Sequence, residues 1–138
     1  MNIFFDMDYT LLGLDGTLRP NSREIMQRLK DEGHMIYIWS GNGIRWPEVR
    51  KFKLEDLITD CFAKPIDELE KAIENDLLPV MPDFVIDDYQ EVPAAIRGVW
   101  VSPYTHNDGK DNEMENVYRI ITEYLTFGYS ADRRFQSK

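Results

Sequence analysis

Two carboxylates and a hydroxyl follow a short apolar segment near the start of the chain. Asp6, Asp8 and Thr10 occupy alternate positions directly after the apolar residues 3–5. A carboxylate at the end of a buried strand is unfavourable unless it is paired, hydrogen-bonded or bound to a metal. Two carboxylates so close together also raise each other's pKa unless a cation lies between them. The pattern therefore predicts a site for a divalent cation and an anionic substrate.

Apolar, strand-like segments alternate with helix-like segments along the rest of the chain. Strands are predicted at residues 2–6, 35–39, 60–63, 83–86 and 99–101. Helices are predicted from a capping box at Asn21 and Glu24 to Gly33, and at residues 47–52, 66–77 and 112–127. This alternation indicates an α/β fold with a mainly parallel sheet that is covered on both faces. Ligands of such sheets bind beyond the carboxyl ends of the strands.

Polar residues stand at four of these strand ends, and we expect them to share one site. They are Asp6, Asp8, Thr10, Ser40, Lys64, Asp87 and Asp88. Carboxylate oxygens suit Mg²⁺, and a metal with a lysine and directed donors suits phosphoryl transfer. A carboxylate can be the attacking group and form an aspartyl phosphate. His34 and His106, placed in a helix exit and a loop, are interpreted as surface residues, and they offer neither a Ser–His–Asp set nor a zinc cluster.

Length and composition limit the classes of function. The chain has 138 residues, a net charge of −9 and one cysteine, Cys61. The negative charge argues against nucleic-acid binding, and a lone cysteine fits a reducing cytoplasm. We find no apolar segment of the roughly 20 residues that cross a bilayer, and no signal peptide. We expect a cytoplasmic protein with no membrane partner; whether it forms a homo-oligomer is left open.

The ordered set of motifs resembles the haloacid dehalogenase (HAD) superfamily over nearly the whole chain. Residues 6–10 look like its first motif, DxDxT, and Trp39-Ser40 looks like its second. Lys64 looks like the third motif, and residues 84–88 look like the fourth in its adjacent-Asp form. Each motif is weak alone, but four in the right order, each after a strand, make a strong signal.

The resemblance implies a role for each residue of the first motif and for the lysine. Asp6 would attack the phosphoryl group and hold Mg²⁺. Asp8 would act as general acid and base, with its backbone carbonyl facing the metal. Thr10 would fix the loop and steady Asp8, and Lys64 would neutralise Asp6 and the phosphate.

The resemblance also implies how the phosphate and the metal are held. Ser40 and the backbone N–H groups of Gly41 and Asn42 would bind the phosphoryl oxygens. Asp88 is the first choice for the remaining metal ligand. Asp87 would then contact the ligands rather than the metal, or bind the metal through a water molecule.

The implied fold is a three-layer α/β/α Rossmann-like core without a cap domain. Only 10 residues lie between Thr10 and Asn21, and 23 lie between Ser40 and Lys64, too few for a cap. We expect one domain over residues 1–129 with a small β-hairpin flap at about 11–19, and a frayed polar tail at 130–138. The flap turn falls at residues 15–16, where the sequence imitates the first motif but has Gly13 in place of its leading Asp.

The chain resembles the capless branch, which includes magnesium-dependent phosphatases with a similar DxDYT opening. In an open site, Arg45 and Trp46 are candidates for substrate contacts, while Trp100 is interpreted as core. The leading hypothesis is a Mg²⁺-dependent phosphatase that acts on a phosphomonoester. The alternatives are a phospho-accepting receiver-like signalling domain, whose chain order differs because Lys64 here precedes the acidic pair, and a degenerate HAD interaction module.

Overall fold

Six strands form one sheet at the centre of the molecule, in the order β3-β2-β1-β4-β5-β6. The computed structural model describes residues 1–138. The strands are β1 (Asn2–Asp6), β2 (Met35–Ser40), β3 (Asp60–Ala63), β4 (Phe84–Asp87), β5 (Arg97–Trp100) and β6 (Phe135–Ser137). The helices are α1 (Ser22–Asp31), α2 (Trp46–Lys51), α3 (Leu69–Glu74), α4 (Glu91–Ala95) and α5 (Glu113–Phe127). None of these helices combines the length and the apolar character that crossing a membrane requires.

Strand β1 lies in the middle of the sheet and determines where the polar strand ends meet. It pairs in parallel with β2 on one side and with β4 on the other. The next parallel neighbours are β3, beside β2, and β5, beside β4. The chain therefore changes direction across the sheet between β1 and β4, and a crevice forms at such a point beyond the carboxyl ends of the strands.

Helices cover both faces of the sheet and create two apolar clusters. Ile3 and Phe5 point to one face, where they belong to a cluster with buried residues of α1, α2 and α5. Phe4 points to the other face and belongs to a second cluster with Val92 of α4, and Leu69 of α3 packs against this cluster. Because successive side chains of a strand alternate between its faces, β1 contributes to both clusters. The structure thus confirms a three-layer α/β/α core with a mainly parallel sheet.

Helix α3 is shorter than the sequence predicts. It covers only residues 69–74 rather than 66–77, and the side chain of Leu77 is exposed. Asp76 adopts a positive φ of 54°, and the Leu77 N–H donates to the carbonyl of Ala72, which closes the helix. The residues before Leu69 are a loop, so the segment after β3 is free to line the crevice.

One local prediction about helices is wrong, and one helix was not predicted. Asn21 has a left-handed backbone with φ 66° and makes no side-chain cap, so the capping box with Glu24 does not form. Helix α4 was not predicted, because five residues with a proline at position 93 give little helical signal. The ring of Pro93 is tolerated there since it lies in the first turn, where the N–H has no helical partner.

The C-terminal residues are ordered, so the prediction of a frayed tail at 130–138 is wrong. Strand β6 pairs antiparallel with β5, and Phe135 lies opposite Val99. The ring of Phe135 lies 6.0 Å from that of Tyr124 and 6.4 Å from that of Phe84, measured between centroids. A strand of three residues has no readable periodicity, and its stability comes from these tertiary contacts rather than from local sequence.

The flap is a tight loop rather than a pair of extended strands. Leu12 and Leu18 form an isolated antiparallel bridge, and the Gly13 N–H donates to the Thr17 carbonyl at 3.0 Å. Gly16 turns the chain with φ 77°, as the predicted turn at residues 15–16 requires. Between Ser40 and Lys64 the chain forms only α2 and β3.

A substitution at Gly98 tests the close packing of β5 on β4. A Cβ at this position would lie 1.8 Å from the Val85 carbonyl oxygen, which is backbone and cannot move without separating the strands. We expect Gly98→Ala to lower the free energy of unfolding by about 3 kcal/mol, measured by urea titration. Gly109→Ala is the matched control, because a Cβ there meets no atom within 4 Å. If both variants were equally stable, the described packing of β5 on β4 would be wrong.

Candidate active site at the carboxyl ends of the strands

Four neighbouring strands deliver polar side chains to the same edge of the sheet. Asp6 ends β1, Ser40 ends β2, Lys64 follows β3, and Asp87 ends β4. The Lys64 ammonium lies 3.0 Å from Asp6 Oδ1 and 2.8 Å from Asp87 Oδ2. The structure therefore brings together residues that are up to 81 positions apart in the sequence, from 6 to 87.

Lys64 is held in place through its backbone as well as its side chain. Its N–H donates to the Ser40 carbonyl at 2.9 Å, which fixes the end of β3 beside β2. Burial lowers the pKa of Lys64, but the adjacent carboxylates of Asp6 and Asp87 outweigh burial and raise it. The lysine is therefore a permanent ammonium between two carboxylates.

Asp6 lies in an environment that disfavours its charge. Burial raises its pKa to about 6, although the Lys64 ammonium acts in the opposite direction. The Thr10 hydroxyl donates to Asp6 Oδ2 at 3.0 Å and lies 3.5 Å from Asp88 Oδ1. The expectation that Thr10 steadies Asp8 is therefore wrong, because the hydroxyl faces the interior and contacts Asp6 instead.

The two adjacent aspartates of the fourth motif have different surroundings. Asp87 is fully buried, and its oxygens accept hydrogen bonds from Lys64 and from the Tyr89 N–H. Asp88 is half-buried and lines a cavity that opens next to Asp6. Burial raises the pKa of both carboxyl groups. Asp87 thus has its hydrogen-bonding capacity largely used within the protein, whereas Asp88 faces the cavity.

A group of three carboxylates has the composition of a metal site. One carboxyl oxygen each of Asp6, Asp87 and Asp88 lies within 4.8 Å of the others. An all-oxygen donor set suits a hard cation such as Mg²⁺, which usually takes one or two carboxylates and fills its other positions with water and phosphate oxygens. The residues present therefore fit a magnesium ion.

The Asp8 carboxylate pairs with the Arg45 guanidinium and does not belong to the group of three carboxylates. Arg45 makes two parallel contacts with it, at 2.7 Å and 3.0 Å, and the Asn42 amide donates to it at 2.6 Å. The hydrogen bond from Arg45 is the main reason that the pKa of Asp8 is lowered. Two carboxyl groups two residues apart therefore have pKa values shifted in opposite directions, which is typical of sites that divide acid–base roles.

The loop after β2 is arranged differently from the sequence-based expectation. The Ser40 hydroxyl accepts a hydrogen bond from the Asn42 N–H at 3.1 Å and another from Arg45 at 3.2 Å. Arg45 therefore contacts Asp8, and Trp46 is partly buried against the core. Neither side chain lines the cavity next to Asp6. The Ile66 side chain packs directly over Gly41, where a Cβ would lie 2.6 Å from Ile66 Cδ1.

Two residues that position the site were not found from the sequence. Trp100, interpreted as core, donates its indole N–H to the Asp88 carbonyl at 3.0 Å. Its place at the carboxyl end of β5 was an available signal. Arg19 is buried and donates to the Thr10 carbonyl at 3.2 Å, to Asp111 and to the Ser102 carbonyl. It ties the first motif to the loop after β5, and no motif surrounds it in the sequence.

The histidines lie elsewhere. His34 is buried against the N-terminal amine, 3.0 Å away, so the prediction that it lies on the surface is wrong. It precedes β2 and therefore lies at the amino ends of the strands, away from the candidate site. His106 is exposed, as expected.

Comparison with known proteins agrees with the fold and with the position of the first two motifs. Residues 3–61 match the haloacid dehalogenase-like hydrolase family. The matched segment runs from β1 through α1, β2 and α2 into β3, and it contains Asp6, Asp8 and Ser40. The chain is thus similar to haloacid dehalogenase-like hydrolases over the segment that carries its first two motifs. A search of curated proteins found no match.

The raised pKa of Asp6 has a consequence for the metal-free protein. Because this pKa is about 6 in the fold and 3.8 without burial, the contribution of Asp6 to stability is greatest below pH 4 and is lost as the pH rises through 6. In EDTA at neutral pH, Asp6→Asn should therefore raise the free energy of unfolding by about 2–3 kcal/mol. The gain should vanish near pH 4, as measured by urea titration across this pH range.

The control for this measurement is Asp31→Asn on the exposed face of α1. We expect this variant to follow the pH profile of the unmodified protein. A destabilised Asp6→Asn at neutral pH would show that Lys64 compensates the buried charge completely.

Proposed function

We propose that this protein is a Mg²⁺-dependent phosphatase that hydrolyses a phosphomonoester through an aspartyl-phosphate intermediate on Asp6. One observation carries the proposal: the Asp6 carboxylate, paired with Lys64 and adjacent to Asp88, lines an open cavity beyond the strand ends. Phosphoryl transfer depends mainly on positioning and on neutralising charge, and this edge of the sheet supplies both.

In the first step, an Asp6 carboxyl oxygen attacks the phosphorus, and the bond from phosphorus to the ester oxygen breaks. The leaving oxygen takes a proton from Asp8 and departs as an alcohol. Lys64, 3.0 Å from Asp6, offsets the negative charge that the approaching phosphoryl group adds. Its second partner, Asp87, fixes the ammonium so that no reorganisation is required during the reaction.

In the second step, a water molecule attacks the phosphorus of the aspartyl phosphate and gives a proton to Asp8. The bond between phosphorus and the Asp6 oxygen breaks, which releases inorganic phosphate and regenerates both aspartates. The same carboxyl group thus acts first as an acid and then as a base.

The metal would be held by carboxyl oxygens of Asp6 and Asp88 and by the backbone carbonyl of Asp8, with Asp87 behind them. When bound, Mg²⁺ supplies positive charge that neutralises the phosphoryl oxygens. The contacts of Asp87 with Lys64 and the Tyr89 N–H support this division between the two adjacent aspartates.

Asp8 requires a change of partner before it can act as an acid. The two contacts from Arg45 hold it ionised in the structure. Arg45 is also 3.2 Å from the Ser40 hydroxyl, at the proposed binding place of the phosphoryl oxygens. An arriving phosphoryl group therefore competes with Asp8 for the guanidinium, and its binding frees Asp8 to carry a proton.

Removing the nucleophile is the direct test of the mechanism. Asp6→Asn should lower kcat for an aryl phosphate by at least about 10³-fold, because no second carboxylate occupies its position. EDTA should likewise abolish turnover of the unmodified protein, and added Mg²⁺ should restore it. Asp31→Asn is the control and should keep full activity.

Full activity of Asp6→Asn would exclude the aspartyl-phosphate route. Metal binding without turnover of any phosphate ester by the unmodified protein would instead favour a degenerate interaction module.

Substitutions of Asp87 and Asp88 should change the Mg²⁺ dependence of activity differently. Asp88→Asn should raise the Mg²⁺ concentration for half-maximal activity by about tenfold or more, since a ligand facing the cavity is lost. Asp87→Asn should leave this concentration nearly unchanged, because the Asp87 oxygens already accept hydrogen bonds from Lys64 and the Tyr89 N–H. Titrating activity with Mg²⁺ checks this assignment, and melting curves show that both variants are folded. The opposite pattern would make Asp87 the metal ligand.

A further inference from the structure

The cavity beside Asp6 extends well beyond the space that a phosphoryl group needs. Its volume is about 850 Å³, in the range of pockets that hold small organic ligands. It runs from Asp6 and Ser40 between the loop after β3 and the exposed side of α4. If the proposed function holds, the phosphoryl group occupies the end near Asp6, and the remainder receives the leaving group.

Carboxylates outnumber cations in the part of this cavity that lies away from the strand ends. Its charged residues there are Asp67, Glu68, Glu70, Glu91 and Lys71. Lys71 pairs with Glu68 at 3.5 Å, whereas the other three carboxylates form no ion pair. A leaving group with a second phosphate or a carboxylate would be repelled by these uncompensated charges, and a cationic one would be attracted.

The same walls offer apolar and aromatic surface. Ile66 and Tyr89 line the cavity with 70% and 67% of their surface exposed. Ile66 lies over the bare backbone of Gly41, at the junction between the phosphoryl end and the leaving-group end. The ring of Tyr89 is available to stack on an aromatic group or to contact an ammonium face-on. Large apolar side chains exposed together beside a catalytic cavity are typical of a binding surface.

We infer that the substrate is a phosphomonoester whose leaving group carries an ammonium and an apolar, ring-sized body, with no second anionic group. This inference rests on the proposed function for the position of the phosphoryl group. It adds the chemical class of the leaving group, which is recognised by Glu70 and Glu91 through charge and by Ile66 and Tyr89 through contact.

Aryl phosphates that differ only in the charge of one substituent provide the test. The three are phenyl phosphates with 2-aminoethyl, ethyl or 2-carboxyethyl at the para position, compared by kcat/KM with Mg²⁺. We expect the order cationic, neutral, anionic, with at least about a tenfold span that shrinks as salt is added. Phosphoethanolamine, which has the ammonium but no ring, should be a poorer substrate than the cationic aryl phosphate.

Charge-matched variants separate the cavity from the net charge of the protein. Glu70→Gln with Glu91→Gln should lower kcat/KM for the cationic substrate several-fold, mainly through KM, and leave the neutral one unchanged. Glu55→Gln with Asp31→Asn removes the same two charges from exposed residues outside the cavity and should change neither. An equal effect of this second double variant would overturn the inference.

Binding to the Asp6→Asn variant distinguishes failure of the inference from failure of the proposed function. Calorimetry should give the same order of affinity for the three aryl phosphates without turnover. That order without hydrolysis by the unmodified protein would overturn the proposed function and support the charge preference of the cavity. Hydrolysis with equal kcat/KM for all three, or with preference for the anion, would overturn the inference alone.

Discussion

The active-site edge of this fold depends on one buried ammonium that serves two carboxylates. Lys64 lies between Asp6 and Asp87, and all three groups are largely removed from water. Any one of them alone would be a costly buried charge, and loss of the ammonium would leave two carboxylates uncompensated. The strands β1, β3 and β4 must therefore end at matching heights, so the electrostatic requirement also constrains the register of the sheet.

Around that ammonium, the fold gives chemically identical side chains different properties. Asp6 is surrounded by apolar strand residues, and burial raises its pKa to about 6. Asp8, two residues later, has left the strand and meets Arg45, which lowers its pKa. Asp87 is enclosed, whereas the next residue, Asp88, faces the cavity with its carbonyl held by Trp100. The direction in which the backbone leaves each strand thus decides what each carboxyl group can do.

The sequence predicts the strand ends well because its strongest signals are local. Continuous apolar segments locate β1, β2 and β3 closely, and the polar residue after each one follows from the geometry of parallel sheets. The contact between Arg45 and Asp8 depends on how far a flexible side chain reaches across two loops, and the periodicity carries no such information. The same holds for Arg19, which joins three loops, and for β6, whose Phe135 is stabilised by residues far away in the chain.

The two outer strands of the sheet affect how molecules of this protein meet one another. β3 has four residues and is followed by Lys64 and Pro65, and β6 has only three residues. An edge strand presents unpaired N–H and C=O groups to which a neighbouring chain can add, but a short edge that ends in proline offers few of them. Because β6 pairs with β5, the outermost strand on this side of the sheet has three residues instead of four. The shorter edge disfavours strand-by-strand growth into fibrils.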